Sequence, residues 1–313
     1  MPETEDDEDR LAAFLAQRPR LVRLAYRHLG MLSEAEDVVQ DAWLRFSRAA
    51  EVQDAARLLS TIVTRLCLDR MKSAQVRREV YVGPWLPEPA VGEAVDPAGD
   101  RVLDISYAVM RVLERLSPAE RAAYFLHDLW EMPFEEVAAV LERSPAACRK
   151  LASRARANLA EARARFQPSG AQVERMAALF RAASEAGDPA ILQAALAEEV
   201  ELLSDGGGKV PAALNILHGA ANVSRFLLAV AGEKIRTGIY RFEAAVINDA
   251  AAVVVHAGDR VEQTMSFDLD GEGRVRAIYI VRNPDKLARL AGGTEGVAGG
   301  ETGVAQGMPG QIQ

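Results

Sequence analysis

Apolar residues recur at helical spacing through residues 10–80, and no Gly after Gly30 and no Pro after Pro19 interrupts them. Ser33 followed by Glu36 has the spacing of a capping box, which predicts a helix over 34–49. Its Val38, Trp43, Leu44 and Phe46 alternate with Glu34, Glu36, Asp37 and Asp41. A second helix is predicted over 54–79, with Leu58, Leu59, Ile62, Val63, Leu66 and Met71 as its apolar stripe. The pattern breaks at residues 81–104, where four prolines and three glycines between 81 and 100 mark a linker. Helical spacing returns over 105–167. Ser117-Pro118 opens a helix over 119–129, Pro133 opens one over 134–141, and Ser144-Pro145 opens a long one over 146–166. The last two, joined only by Glu142-Arg143, form a helix-turn-helix.

After Pro168-Ser169-Gly170 the period changes. Helices are predicted over 172–186 and 222–230, then strands over 239–247, 251–257, 260–269 and 274–281, with a hairpin turn at 270–273. Helices followed by a curling antiparallel sheet indicate an α+β domain over 170–290. The fold class is therefore multidomain, two all-α units followed by an α+β unit. The acidic stretch 1–9 and the Gly-rich stretch 291–313 lack an apolar pattern and read as disordered tails.

Charge changes the picture only once it is placed along the chain. The formal net charge of −8 argues against a generic polyanion binder. Residues 1–9 carry six acids and no base, however, and residues 10–169 hold 24 basic against 21 acidic residues. The excess is concentrated. The 146–166 helix carries six basic residues against Glu161 alone, a DNA-facing composition, and residues 57–80 carry six against two. Two cysteines, Cys67 and Cys148, support neither a disulfide framework nor a four-thiolate zinc site. No secretory signal opens the chain and no apolar run approaches the ~20 residues that span a bilayer, so a cytoplasmic protein without a membrane partner is expected.

Residues 33–46, Ser-Glu-Ala-Glu-Asp-Val-Val-Gln-Asp-Ala-Trp-Leu-Arg-Phe, resemble the core-polymerase-binding segment of the extracytoplasmic-function (ECF) sigma factors. Residues 116–121, Leu-Ser-Pro-Ala-Glu-Arg, resemble the opening of that family's −35-binding domain. Tyr81 to Pro89, Asp205 to Lys209 and Asn283 to Leu287 resemble the signature of one subgroup, the SigJ-type group with a C-terminal SnoaL-like domain. The resemblance implies sigma region 2 over 10–80, sigma region 4 over 105–167 and a cone-shaped SnoaL-like regulatory domain over 170–290. Core RNA polymerase and promoter DNA, at its −10 and −35 elements, are the implied partners.

On that footing Asp37, Gln40, Asp41 and Leu44 are the candidates for docking core polymerase. Arg65, Arg70, Lys72, Arg77 and Arg78 are those for a cationic track under the melted −10 strand. Ala147, Arg149, Lys150, Ser153 and Arg154, on the first turns of the recognition helix, are those for −35 readout. In the linker, Trp85, Leu86, Pro87, Glu88 and Pro89 present an aromatic anchor on a stiff backbone, suited to a groove. Asp205, Gly206, Gly207, Gly208 and Lys209, with Asn283, Pro284, Asp285, Lys286 and Leu287, would form that groove. A turn and a helix start are the plainer reading of these two segments, compatible with the first. The glycine run lacks the spacing of a phosphate-binding loop. No catalytic residue, metal or cofactor is expected, although Asp205, His218 and His256 would need inspection for acid–base geometry. The cavity of such a fold leaves room for an unidentified small-molecule ligand. The rival classes are a conventional helix-turn-helix regulator and an enzyme with a catalytic SnoaL-like domain.

Overall fold

The structure, a computed structural model, describes residues 3–79, 81–90, 105–163 and 169–291. Its N-terminal half is helical: α1 (Glu3–Leu29), α2 (Leu32–Phe46) and α3 (Ala55–Glu79), then, past the linker, α4 (Tyr107–Arg115), α5 (Pro118–Tyr124), α6 (Phe134–Leu141) and α7 (Pro145–Arg163). Helix α1 begins at Glu3, so the acidic stretch expected to be a disordered tail forms a first turn. Acids there oppose the positive end of the helix dipole, and the apolar pattern of 11–29 continues the helix. The box between Ser117 and Glu120 forms with both reciprocal bonds. That of Ser33 does not. Helix α2 starts at Leu32, one residue before Ser33, with no side-chain cap from its own N-cap residue.

The C-terminal unit comprises α8 (Gly170–Ala186), α9 (Pro189–Gln193), β1 (Leu196–Asp205), β2 (Leu217–His218) and α10 (Ala220–Leu227). It continues with α11 (Glu233–Arg236), β3 (Tyr240–Ile247), β4 (Ala250–Ala257), β5 (Arg260–Leu269), β6 (Val275–Val281) and α12 (Pro284–Ala291). Strand order is β2-β1-β6-β5-β4-β3. Strand β1 runs parallel to β6, so the sheet is mixed rather than antiparallel as expected. Glu198, Glu199 and Glu201 hid β1 in the sequence, since its polar residues do not alternate with apolar ones. The tail expected over 291–313 lies, beyond Ala291, outside the described residues, as do 91–104 of the linker and 164–168.

Two packing facts set up the function. Helices α1–α3 and α4–α7 share one hydrophobic core, in which Leu24, Val38 and Val63 belong with Tyr124, Phe125 and Leu129. Helices α8–α11 cover one face of the sheet, where Phe180 and Val223 join Val253, Met265 and Ile280. Its other face carries Leu203, Val254, Ala277 and Tyr279, and onto these pack Leu86 from the linker and Tyr107 from α4. The linker is thus a filling between layers. Fully buried Leu86 alone is worth about 1.5–3 kcal/mol to this arrangement.

Candidate nucleic-acid interface and linker clamp

Helix α7 is started by Ser144, whose Oγ accepts the Ala147 N–H at 3.2 Å. Cys148, Ala152, Ala155 and Leu159 face the core, which leaves Arg149, Lys150, Ser153 and Arg154 exposed on the other side and Ala147 half-buried. Arg149 donates to Glu135 at 3.3 Å and its guanidinium lies over the Phe134 ring. Arg154 stands 3.9 Å from Glu120. Exposed pairs of this kind are worth about 0–1 kcal/mol and can exchange for phosphate contacts.

On α2, Asp37, Gln40, Asp41 and Leu44 fall at helical spacing on one face, and Leu44 is 48% exposed despite its apolar side chain. Arg70 of α3 reaches this face, pairing with Asp41 at 3.2 Å and Asp37 at 3.5 Å. Arg65 donates to the Ala139 carbonyl of α6 at 3.4 Å, and Arg57 pairs with Glu136 at 3.1 Å. Lys72, Arg77 and Arg78 continue the backbone of α3, and their side chains lie outside the described residues. The basic helix α3 is therefore bonded directly to the helix-turn-helix. At the same seam buried Arg121 donates to the His28 carbonyl, and the His28 ring packs edge-on against Phe125. Burial, with Arg121 and Arg27 nearby, holds the His28 imidazole well below its ordinary pKa and therefore neutral.

The linker segment, Asp205 and α12 meet in a clamp. Asp205 is fully buried. Its carboxylate accepts from the Leu86 N–H at 2.8 Å, the Tyr81 hydroxyl at 2.6 Å, the Gly207 N–H at 3.0 Å and Lys286 Nζ at 2.7 Å. Lys286 also donates to the Leu86 carbonyl and lies 4.0 Å from the centroid of the Trp85 ring. Both backbone groups of Leu86 are thus held by one buried ion pair. Burial and the adjoining Asp205 push the Tyr81 phenol above its usual range, keeping it a neutral donor. The glycine turn has a steric role: Gly207 takes φ +61°, and a Cβ there would come 2.3 Å from Asn283 Nδ2. Asn283 both caps α12, accepting from the Asp285 N–H at 3.1 Å, and donates to Tyr81 at 2.9 Å. The start of α12 is thus also in contact with the linker.

The same linker grips the N-terminal helices. Glu88 N–H donates to the Gly30 carbonyl at 2.9 Å and the Tyr26 hydroxyl to the Glu88 carbonyl at 2.7 Å. The Glu88 carboxylate accepts the Leu32 N–H at 2.8 Å, which supplies the cap that Ser33 does not. Burial raises the Glu88 pKa against the lowering effect of these N–H groups. Arg289 of α12 bonds Glu36 at 2.5 Å, and that bond holds the Glu36 carboxyl below its ordinary pKa.

Sequence reasoning missed a second hub. Asn248, at the β3–β4 turn, is fully buried with φ +53°. Its amide accepts from Ala90 N–H at 2.9 Å and donates to the Tyr26 hydroxyl at 2.7 Å and the Ile105 carbonyl at 3.0 Å. The signal was present: Asn-Asp between two apolar runs is a two-residue hairpin turn, whose tip can reach a neighbour.

A cavity of about 690 Å³ lies in the C-terminal unit between helices and sheet. Asp205, His218 and His256 do not converge on it. None of the three lines it; Asp205 faces the linker, His218 is exposed near Glu201, and His256 is buried 2.9 Å from Glu243. Among the described residues no helix is long and apolar enough to cross a membrane.

Comparisons with known proteins agree with this layout. Residues 14–77 match Sigma-70 region 2 and residues 106–159 match Sigma-70, region 4. The chain is 37% identical over 290 residues to the ECF RNA polymerase sigma factor SigJ of Mycobacterium tuberculosis, spanning 88% of this chain and 92% of that one. It is 37% identical over 183 residues to the probable ECF sigma factor SigI of the same organism, spanning 56% of this chain and 63% of that one. The crystal structure of Mycobacterium tuberculosis SigJ matches with a TM-score of 0.68 at 33% identity, over 89% of this chain and 98% of that one, C-terminal α+β unit included. Two sigma-70 regions, in order and within a match that spans most of both chains, place this chain in the extracytoplasmic-function RNA polymerase sigma factors, which bind core polymerase and direct it to promoters.

Proposed function

We propose that the C-terminal unit controls this sigma factor in cis by holding it closed. The observation that carries the reading is the linker, gripped on one side by Gly30, Tyr26 and Leu32 and on the other by Asp205 and Lys286. A −10 and a −35 element are about 25 base pairs apart, or about 85 Å at 3.4 Å per pair. A compact chain of this length has a radius of gyration of about 20 Å, so a closed form is too short to engage both. The shared core and the Arg57–Glu136 pair keep the two readers in contact, and engagement requires their separation. Dyes on Glu51→Cys and Glu142→Cys, both exposed positions, test this. Energy transfer between them should be high in the free chain and fall when core polymerase and promoter DNA are added. Transfer that stays high in an initiating complex would overturn the reading.

Within the opened form, Asp37, Gln40, Asp41 and Leu44 dock core polymerase. Arg65, Arg70, Lys72, Arg77 and Arg78 hold the −10 strand, with Arg70 leaving Asp41. Ala147, Arg149, Lys150, Ser153 and Arg154 meet the −35 duplex; the C-terminal cavity is the place for a small molecule in the closed form. Leu44→Asp should weaken core binding at least tenfold in a direct binding titration, because burying a leucine is worth about 1.5–3 kcal/mol. Arg149→Ala should cost about 1–3 kcal/mol of binding at a cognate −35 sequence and relax base preference at one position. Arg156→Ala, an exposed position further along the same helix that would lose a phosphate contact, should weaken all sequences alike in the same gel-shift series and flatten the salt dependence.

A further inference from the structure

We infer that the C-terminal cavity takes an amphiphilic carboxylate, an apolar body with one anionic head, and that its occupant tightens the linker clamp. The first step concerns the site alone; the second rests on the closed-state reading above. At about 690 Å³ the cavity is in the ~300–1,000 Å³ range of sites for drug-sized molecules. Its walls are apolar on both layers: Phe180, Phe226 and Leu227 from the helices, Val261, Met265 and Ile280 from the sheet. The charged groups on the lining do not balance. Arg260 and Arg282 share the single carboxylate of Glu262, each at 2.7 Å. Lys234 bonds only a neutral group among the interactions of the described residues, donating to the Tyr240 hydroxyl at 2.9 Å. A half-buried ammonium beside apolar walls gains most from an anion, through a charge-assisted hydrogen bond. The Lys234–Tyr240 pair therefore receives the head group, and the aromatic and aliphatic walls receive the body.

Helix α12 connects this site to the linker. Pro284, Leu287 and Ala288 line the cavity, while Lys286 between them holds Leu86 and Asp205. Leu287 also belongs to the buried cluster that contains Leu86. Val210, Pro211 and Ala212, which also line the cavity, come one residue after the glycine turn. A two-turn helix is thus shared by cavity and clamp. An occupant that fits the cavity as it stands binds the clamped state preferentially and shifts the population toward it.

Calorimetric titration of the full chain with octanoate, dodecanoate and 1-naphthoate, without polymerase, tests the site. At least one should bind saturably with one-to-one stoichiometry, at least tenfold tighter than its uncharged alcohol. Lys234→Met should abolish that preference, and Lys234→Arg should keep it. Ala231→Phe, which places a ring in the cavity, should block binding while the chain still melts cooperatively. The site is overturned if no carboxylate binds the folded chain, or if Lys234→Met and Ala231→Phe both leave binding unchanged. The coupling is read separately: the bound carboxylate should lower promoter-directed initiation severalfold and hold dye-to-dye transfer higher when core polymerase and promoter DNA are added. Binding without either change overturns the coupling and leaves the site standing, whereas low transfer in the ligand-free chain points to failure of the closed-state reading itself.

Discussion

Asp205→Ala is expected to raise promoter-directed initiation severalfold while core binding is retained. Asp205 accepts four hydrogen bonds, two of them from the linker residues Tyr81 and Leu86. Removing it leaves the Lys286 ammonium, 3% exposed, without its carboxylate. Breaking a buried pair from one side costs about 3–5 kcal/mol, enough to invert a two-state equilibrium that favours the closed form by a similar margin. Lys286→Met should act in the same direction less strongly, since Asp205 keeps its bonds from Tyr81, Leu86 and Gly207. Tyr81→Phe removes two neutral-donor hydrogen bonds, the one given to Asp205 and the one accepted from Asn283, at about 0.5–1.5 kcal/mol each, and should have the smallest effect because no buried charge loses its counter-charge. The three variants should rank identically in loss of dye transfer and in run-off transcription. A cooperative melt of the C-terminal unit separates release of the linker from unfolding. If folded Asp205→Ala keeps both transfer and initiation at the parent level, the clamp does not control this sigma factor.

Helix existence and the helix-turn-helix were legible because their signals are local. Ser117-Pro118 and Ser144-Pro145 carry cap and first-turn residue side by side, and the sequence placed α6 at the residues it occupies, Phe134–Leu141. The failures occurred where a distant residue decides. Ser33 was a sound local cap, displaced by the Glu88 carboxylate, which lies 56 residues along the chain from the Leu32 N–H it caps. Strand β1 lacks a regular polar–apolar alternation along its own length and is a strand because β6 lies parallel beside it. Arg70 looked like one more member of a basic stripe, and only the packing of α3 against α2 assigns it to Asp37 and Asp41. The clamp segments were visible as motifs in linker and C-terminal unit; for Asn248 the turn itself was legible from Asn-Asp between two apolar runs, but not its role, since a hairpin turn gives no sign of where its tip will lodge. The closed relation of the two DNA-reading units had no local signal at all.

Gly30→Ala tests the clamp from its other side, and the same opening is expected without any change to the C-terminal unit. Gly30 takes φ +75°, and a Cβ added there would stand 2.3 Å from the Trp85 ring. Alanine in that conformation costs about 1–2 kcal/mol by itself. The larger effect is steric. Trp85 has to leave its seat, and in leaving it gives up the contact with the Lys286 ammonium at 4.0 Å. Dye transfer should fall and initiation should rise, as in Asp205→Ala. Damage confined to region 2 would instead reduce core binding, so a direct titration with core polymerase separates the two causes. Trp85→Ala supplies the second control: it removes the atoms that an alanine at position 30 would strike. In the double variant Gly30→Ala should add only its backbone strain, making the pair less than additive, as residues in contact are. Full additivity would mean that Gly30 acts through something other than Trp85, and that the linker's seat on region 2 is not what keeps the chain closed.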